Sequence, residues 1–328
     1  MLRIVRVALL SLALVVAAFL SGCGKNSNKV TGPTGDTGGE HLLAFVTDRA
    51  SPGNLEIALY DLDQGGFRSV VGLNSTAADY QPTLSDDGNY VFFTSSRGSG
   101  AGLNDLYLYD RLQQGLVATP GLNTPGNETQ PAFTHDSVHL AFVRDSLGFG
   151  RIKLYEPLGD SLIKLPGIDA PGPWSDAHPA PDLHGDRIAF ESGRAGTSIT
   201  HVYVWQRGSG VLSLPDLVSD SSDVSPSLSS NGRWLAFSSK RLGGVGGYDV
   251  YLYDLTTHTF VRTPRLNTTD DDVQPSVSAA GTVIALVRQA PPTTSDLFVW
   301  TANDSTRSQP PGLSAPSAYN GQPDLRWR

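Results

Sequence analysis

The sequence predicts an all-β fold, a six-bladed β-propeller, and three observations support this prediction. A residue pair ending in Pro recurs six times in the 328-residue chain, with Pro-to-Pro spacings of 49, 48, 47, 49 and 48 residues. Each repeat holds about four short apolar runs separated by turn residues, which is typical of a propeller blade. The chain has only 5 Glu and 5 Lys against 27 Asp and 19 Arg. Because Glu and Lys usually cover exposed helix faces, this composition disfavours helical and α/β folds.

Residues 1–22 have the pattern of a secretion signal peptide. Arg3 and Arg6 precede an apolar run over residues 7–20, which is short for a membrane span and typical of a signal peptide. The run ends in Leu20-Ser21-Gly22-Cys23, which resembles a bacterial lipobox. We therefore predict lipidation at Cys23, the single cysteine of the chain. An ordinary signal peptide with an incidental cysteine is the alternative.

Residues 23–40 are predicted to be the lipidated Cys23 and a flexible tether in front of a propeller over residues 41–328. Residues 24–39 contain five Gly and one Pro, and such a segment reaches roughly 20–24 Å. By resemblance to enteric lipoproteins, Gly24 after the lipidated cysteine is compatible with the outer membrane. We thus expect a lipid-anchored protein of the bacterial envelope that faces the periplasm.

The repeats keep a common register around their Pro residues. In the second repeat, Asp79 lies three residues before Pro82, and an Asp-Gly turn, an apolar stretch and Arg97 follow. A Gly- and Ser-rich loop then leads to an alternating run over residues 106–109. The six recurring pairs are Gln81-Pro82, Gln130-Pro131, His178-Pro179, Ser225-Pro226, Gln274-Pro275 and Gln322-Pro323.

The ends of the repeat array predict a closed ring. The first repeat lacks the strand that follows the Gln-Pro pair elsewhere, whereas residues 322–328 supply a Gln-Pro pair and one strand with nothing after it. We expect this C-terminal strand to join blade one, because closure removes the free edges of an open sheet.

The repeats resemble the WD40-like repeat of TolB-type six-bladed propellers. The resemblance covers about residues 41–328 and rests on the acid-x-Gln-Pro pattern, the Ser85-Asp86-Asp87-Gly88 turn and the stretch from Phe93 to Arg97. It also rests on the Asp-x-Tyr-x-Tyr-Asp pattern from Asp105 to Asp110. The resemblance implies an envelope protein that works through protein contacts. TolB itself carries an α/β domain before its propeller and is a soluble periplasmic protein, so its role in the Tol system is not implied.

Two sets of charged residues recur in register and are candidates for a site. The carboxylates and their Asn counterpart are Asp79, Glu128, Asp176, Asp223, Asp272 and Asn320. The arginines are Arg49, Arg97, Arg144, Arg194, Arg241 and Arg288. One hypothesis places the carboxylates around the channel mouth, where they bind a cation or a basic peptide. The favoured alternative is structural, since Arg–carboxylate pairs and turn amides would tie neighbouring strands together.

Blade four departs from the repeat and offers two further candidates. His178 replaces Gln in the recurring pair, and with Asp176 and His184 it makes a conceivable metal or acid–base site, although surface histidines are the more frequent interpretation. Trp174, which follows a Pro-Gly-Pro segment, is the best candidate for an exposed interaction anchor.

The motifs predict no catalytic residue, no metal ligand set and no cofactor. A net charge of −8 disfavours nucleic acid as the main partner. The leading hypothesis is a monomeric, non-enzymatic scaffold for other envelope proteins, held at the membrane by its lipid. One alternative is a hydrolase or lyase acting on envelope or extracellular polysaccharide or peptide. Another is a cation or small-ligand binder at the acidic ring.

Overall fold

The computed structural model describes residues 41–326, except 147, 158, 170, 171, 197, 291–293, 314, 316 and 317. The predicted signal peptide, Cys23, the tether and Trp327 lie outside the described residues. Among the residues that are described, no helix has the length and apolar character needed to cross a membrane.

The described residues form 24 strands in six antiparallel four-stranded sheets, which confirms the six-bladed all-β propeller. The strands of the first two blades are β1 (Leu42–Thr47), β2 (Glu56–Asp61), β3 (Gly66–Arg68), β4 (Asp79–Leu84), β5 (Tyr90–Ser95), β6 (Asp105–Asp110) and β7 (Gly115–Val117). Blades three and four contain β8 (Glu128–Phe133), β9 (Leu140–Ser146), β10 (Phe149–Glu156), β11 (Ser161–Ile163), β12 (Asp176–Pro181), β13 (Arg187–Ser192), β14 (His201–Gln206) and β15 (Gly210–Val211). Blades five and six contain β16 (Asp223–Leu228), β17 (Trp234–Ser239), β18 (Asp249–Asp254), β19 (Thr259–Val261), β20 (Asp271–Val277), β21 (Val283–Ala290), β22 (Thr294–Thr301) and β23 (Thr306–Ser308).

Blade one is completed by the last strand, β24 (Asn320–Arg326), as predicted. β24 pairs antiparallel with β1, with Leu42 opposite Arg326 and Thr47 opposite Asn320. The order in this sheet is β24-β1-β2-β3, whereas each other blade uses four consecutive strands. The ring is therefore closed within a blade, by strands from the two ends of the propeller.

Apolar side chains between adjacent blades make the core. In the contact between blades one and two, Leu42, Ala44 and Leu59 pack with Leu84 and Val91, and all five are fully buried. Because successive strand residues point to opposite faces, each blade presents apolar side chains to both neighbours. Truncating one of these leucines to alanine typically costs about 2–5 kcal/mol.

The innermost strand of each blade has an irregular backbone at the recurring pair. The residue before Pro has a positive φ, between 46° and 54°, in all six blades. The ladder between the first two strands shifts register there, for instance between Tyr80 and Thr83. Such a bulge bends the strand and redirects its side chains. The bulge is the local feature that turns the recurring pair towards the axis of the ring.

The two faces of the disc are distinguished by the direction of the innermost strands. We call the face where these strands begin, near Asp79 in blade two, the start face, and the face where they end the end face. The loop after the second strand of each blade also lies on the start face. Arg97, which follows β5, shows this because it pairs with Asp79.

Candidate functional site

The six innermost strands surround a central channel. The channel holds a cavity of about 160 Å³, which is small beside the ~300–1,000 Å³ of typical drug-sized ligand sites. Nearest the start face it is lined by Gln81, Gln130, His178, Ser225, Gln274 and Gln322. The prolines follow, and then Thr83, Ala132, Ala180, Ser227, Ser276 and Asp324, with His135 and Arg326 at the end face. The cavity is therefore suited to a small molecule or a side chain.

Four glutamines link neighbouring blades around the channel. The side-chain oxygen of Gln81 accepts a hydrogen bond from the backbone N–H of Gln130 (2.9 Å), and that of Gln130 accepts from His178 (2.7 Å). On the other side, the oxygen of Gln274 accepts from Gln322 (2.8 Å) and that of Gln322 from Gln81 (2.8 Å). The positive φ that exposes each N–H to the next blade is thus used in an inter-blade bond. We call these four residues, with His178 and Ser225, the channel ring.

In blades four and five, the acceptor of the inter-blade hydrogen bond is not the side chain of the ring residue. His178 cannot supply an amide oxygen, and a carboxylate oxygen of Glu191 on β13 accepts the backbone N–H of Ser225 instead. Ser225 is too short to reach blade six, and the hydroxyl of Ser238 on β17 accepts the N–H of Gln274 (3.1 Å). Where the ring residue fails as an acceptor, the second strand of the same blade supplies one. Each ring N–H of the described residues therefore keeps a partner.

His178 and Glu191 form a charged pair beside the cavity. Nδ1 of His178 lies 2.7 Å from Oε1 of Glu191. The His178 side chain is 45% exposed, whereas that of Glu191 is 10% exposed. Desolvation lowers the pKa of His178, but the charge and hydrogen bond of Glu191 raise it more, so its pKa lies above the usual value. Pairing with Glu191 therefore stabilises the imidazolium form of His178 relative to a free histidine.

Two side chains narrow the channel at the end face. Nε2 of His135, in blade three, lies 3.2 Å from the carbonyl oxygen of Leu228 in blade five. Nε of Arg326, in blade one, donates to the carbonyl of Leu84 in blade two (2.8 Å). Desolvation and the nearby positive charge of Arg326 lower the pKa of His135 to about 3. His135 is thus a neutral imidazole at physiological pH.

The recurring carboxylates do not line the cavity, in contrast to the channel-mouth hypothesis. Asp79, Glu128, Asp176, Asp223 and Asp272 are at most 1% exposed. Their arginine partners are Arg97 (2.7 Å), Arg144 (2.7 Å), Arg194 (2.9 Å), Arg241 (2.8 Å) and Arg288 (3.3 Å), respectively. In blade one, Arg49 donates to Asn320 (2.8 Å). The carboxylates lie before the bulge, on the start-face side of the ring, and the observed geometry is that of the structural alternative.

The conceivable site of Asp176, His178 and His184 is not brought together. Asp176 is buried against Arg194 on the start face, and His178 lies in the channel ring. His184 lies in a turn on the end face, where its Nδ1 is 2.7 Å from Asp136. The three side chains therefore belong to three separate environments. Across the described residues, no cluster of three or more His, Cys, Asp or Glu side chains could hold a metal ion.

Trp174 is partly buried, which makes it a poorer anchor than the sequence suggests. Its ring lies where a side chain on Gly172 would be, since a Cβ there would come within 2.3 Å of the indole. The guanidinium of Arg151 is 6.0 Å from the ring centroid. The indole N–H is buried and has no hydrogen-bond partner among the described residues. Its role in an interaction stays a prediction.

Sequence patterns do not predict that Asp324, Arg326 and His135 line the channel, or that Glu191 pairs with the channel residue His178. For Glu191 the sequence does contain a signal. It lies thirteen residues after His178, as Thr94 lies thirteen after Gln81 and Val143 after Gln130. The equivalent positions in blades two, three, five and six hold Thr94, Val143, Ser238 and Val287, so the carboxylate of Glu191 marks a blade whose ring residue has changed.

Comparison with solved structures finds TolB proteins and propeller enzymes. TolB from Acinetobacter baumannii is similar with a TM-score of 0.67 and 18% identity, over 89% of this chain and 68% of that chain. A putative TolB from Agrobacterium tumefaciens has a TM-score of 0.58 and 15% identity, over 88% and 99%. An oligogalacturonate lyase from Vibrio parahaemolyticus has a TM-score of 0.53 and 12% identity, over 81% and 73%.

These likenesses show the fold and leave the activity open. No protein-family model matches the chain, and no curated protein matches its sequence. Since the similar structures include both TolB proteins and a lyase, the propeller alone does not select between a binding protein and an enzyme.

Proposed function

We propose that this chain is a lipid-anchored protein of the bacterial cell envelope that acts as a non-enzymatic scaffold, and that its partner docks on the start face. The observation that supports this proposal is a set of exposed apolar side chains on loops of that face. Leu103 is 79% exposed, Leu242 is fully exposed and Val245 is 62% exposed. Leu242 and Val245 share one loop, and exposed apolar groups that share a surface are typical of interaction sites.

The loops that carry these side chains are fixed by buried carboxylates. In blade two, Asp105 accepts hydrogen bonds from the backbone N–H groups of Ala101 and Gly102. In blade five, Asp249 accepts from Val245 and Gly246 in the same way. A pre-ordered loop loses less conformational entropy on binding than a flexible one. Blades two and five thus present apolar groups on opposite sides of the same channel opening.

Site-specific photo-crosslinking in the native envelope tests the docking face. A crosslinking residue at Leu103 or Leu242 is expected to give the same covalent adduct. Leu112 is a matched control, because it is 77% exposed but lies in the β6–β7 turn on the end face. No adduct from the two loops, or equal adducts from Leu112, would contradict the proposed face.

The anchor is tested separately. The Leu20-Ser21-Gly22-Cys23 pattern supports lipidation, and several acyl chains give a stable membrane anchor. We expect Cys23→Ala to move the protein from the membrane pellet to the soluble fraction, whereas Ser21→Ala leaves it in the pellet. Equal retention of Cys23→Ala in the membrane fraction would refute the anchor.

An enzyme acting on polysaccharide or peptide is the second candidate, and the His178–Glu191 pair favours it. A histidine with a raised pKa beside a cavity is suited to acid–base work. The purified chain would then degrade polygalacturonate or a peptide library, and His178→Gln would abolish the activity. Activity that survives this substitution would reject His178 as the catalytic group.

A further inference from the structure

We propose that the central channel binds a small carboxylate-bearing molecule, held by the side-chain amides of Gln81, Gln130 and Gln322 and by the imidazole of His178. This ligand has the opposite charge to the cation that the acidic residues of the sequence suggested. The reason is that the recurring carboxylates of the described residues lie outside the cavity, whereas side chains with amide and imidazole donors line it.

The orientation of the glutamine amides is fixed by their partners. Each side-chain oxygen of Gln81, Gln130 and Gln322 faces a backbone N–H of the next blade. A backbone N–H can only donate, so the oxygen must be the atom that faces it. The NH₂ group of each amide therefore points the other way, and all three side chains line the cavity. Three amide groups with uncommitted donors therefore line one small cavity.

Gln274 belongs to the ring but is placed differently. Its oxygen accepts the N–H of Gln322 (2.8 Å). Its side chain also makes a hydrogen bond with Tyr319, an interaction that lowers the Tyr319 pKa against the larger raising effect of burial. Because part of its hydrogen-bonding capacity is used, the proposal relies on the other three glutamines.

His178 supplies the positive charge. Its Nδ1 is committed to Glu191 at 2.7 Å, so Nε2 is the nitrogen that remains for a ligand. In the imidazolium form that Glu191 favours, Nε2 carries a hydrogen and donates. A hydrogen bond between an imidazolium and a carboxylate is shorter and stronger than one between neutral groups.

The other charges near the ring are already engaged. Asp324 accepts the backbone N–H of Leu84 (2.7 Å) and lies 3.4 Å from Arg326. On the strands packed against β12, Glu128 and Asp223 pair with their arginines. Glu191 is thus the carboxylate that faces His178, and it is occupied by that pairing. Among the described residues the cavity therefore presents amide donors and one imidazolium to an incoming anion, while Asp324 and Arg326, which also line it, are paired with each other.

The experiment compares succinate with succinamide, which has the same shape and no charge. With ¹⁵N-labelled glutamine, we expect succinate to shift the side-chain NH₂ signals of Gln81, Gln130 and Gln322 in the purified full-length chain. Succinate should bind at least about tenfold more tightly than succinamide, as one charge-assisted hydrogen bond predicts. Equal affinities, or shifts confined to other glutamines, would overturn the proposal.

The double substitution His178→Gln with Glu191→Val isolates the role of the imidazolium. It copies the Gln130–Val143 combination of blade three, so the propeller should stay folded. We expect it to lower succinate affinity about tenfold and to remove the weakening of binding as pH rises through the His178 pKa. His184→Gln, which changes an exposed end-face histidine, should leave binding unchanged. Undiminished succinate binding by the double variant would exclude His178 from the site.

Discussion

Blades two and four have the same four-stranded sheet but differ in how their start-face carboxylate is satisfied. In blade two, Asp79 accepts hydrogen bonds from the backbone and hydroxyl of Ser75 and from Arg97. In blade four, Gly172 stands at the position of Ser75 and offers no hydroxyl. One oxygen of Asp176 is consequently buried with no partner among the described residues.

The same two blades differ in the channel ring. Blade two places Gln81 in the ring and Thr94 on the second strand, and the Thr94 hydroxyl donates to Gln81 (3.0 Å). Blade four places His178 and Glu191 at these positions. The comparison teaches that the residues shared by all blades hold the sheet together. The departures of blade four from the repeat, by contrast, leave it with polar groups whose pairing is incomplete or charged.

The largest expected change in the free energy of unfolding comes from removing the carboxylate of Asp79 in blade two. Asp79→Ala should destabilise the fold by about 3–5 kcal/mol, because it leaves the Arg97 guanidinium and the Ser75 amide without their buried acceptor. Asp176→Ala should cost about half as much, since it removes fewer hydrogen bonds. Urea unfolding of both variants measures the difference. An Asp176→Ala cost equal to or above that of Asp79→Ala would break the comparison.

Gly172→Ser tests why blade four has no hydroxyl at the position of Ser75. Gly172→Ser restores the residue of blade two, yet it should destabilise the protein by about 1–3 kcal/mol, the usual cost of overpacking. The reason is that the Trp174 ring occupies the space of the new Cβ. The thermal midpoint is the readout, with Ser75→Gly in blade two as the reciprocal control. A stabilised Gly172→Ser variant would show that the indole moves aside.

His135 at the end face is expected to make the stability of the protein depend on pH. His135 has a folded-state pKa of about 3, well below its unfolded value near 6.5. Between these two pH values His135 binds a proton in the unfolded chain but not in the folded chain. The free energy of unfolding therefore falls as pH drops from about 6.5 towards 3. His135→Gln, which can still donate to Leu228, should reduce this slope by up to about 1.4 kcal/mol per pH unit. Identical slopes in urea titrations would contradict the assignment.

The smallest expected effect on stability comes from making blade four resemble blade three. His178→Gln with Glu191→Val should change the unfolding free energy at neutral pH by less than about 1 kcal/mol, because His178 is half-exposed and screened by solvent and the new Gln can accept the Ser225 N–H as Gln130 accepts that of His178. The pKa of His178 is raised in the fold, so the pair stabilises at low pH and this contribution is lost as pH rises through that pKa. The double variant should lack this dependence. A large loss of stability at neutral pH would mean that the pair is structural.

The sequence predicts the blades, their order and the closure of the ring, because these depend on periodic apolar runs and turn residues. It does not predict that Gln81 rather than Asp79 faces the channel. The bulge at the recurring pair decides this, and a shift of one residue moves a side chain to the opposite face. The amide-to-backbone bonds between blades escape prediction for a similar reason, since they join residues 48 or 49 positions apart around the ring.

The pairing of β24 with β1 has a consequence for the order in which the chain folds. Leu42 pairs with Arg326. Blade one therefore contains only three strands until nearly the whole polypeptide has been synthesised. Contacts between such distant residues slow folding. During synthesis, the unpaired edge of β1 stays accessible for longer than any other inner edge. We therefore expect this edge to be the place where helper proteins or proteases first engage an unfinished molecule.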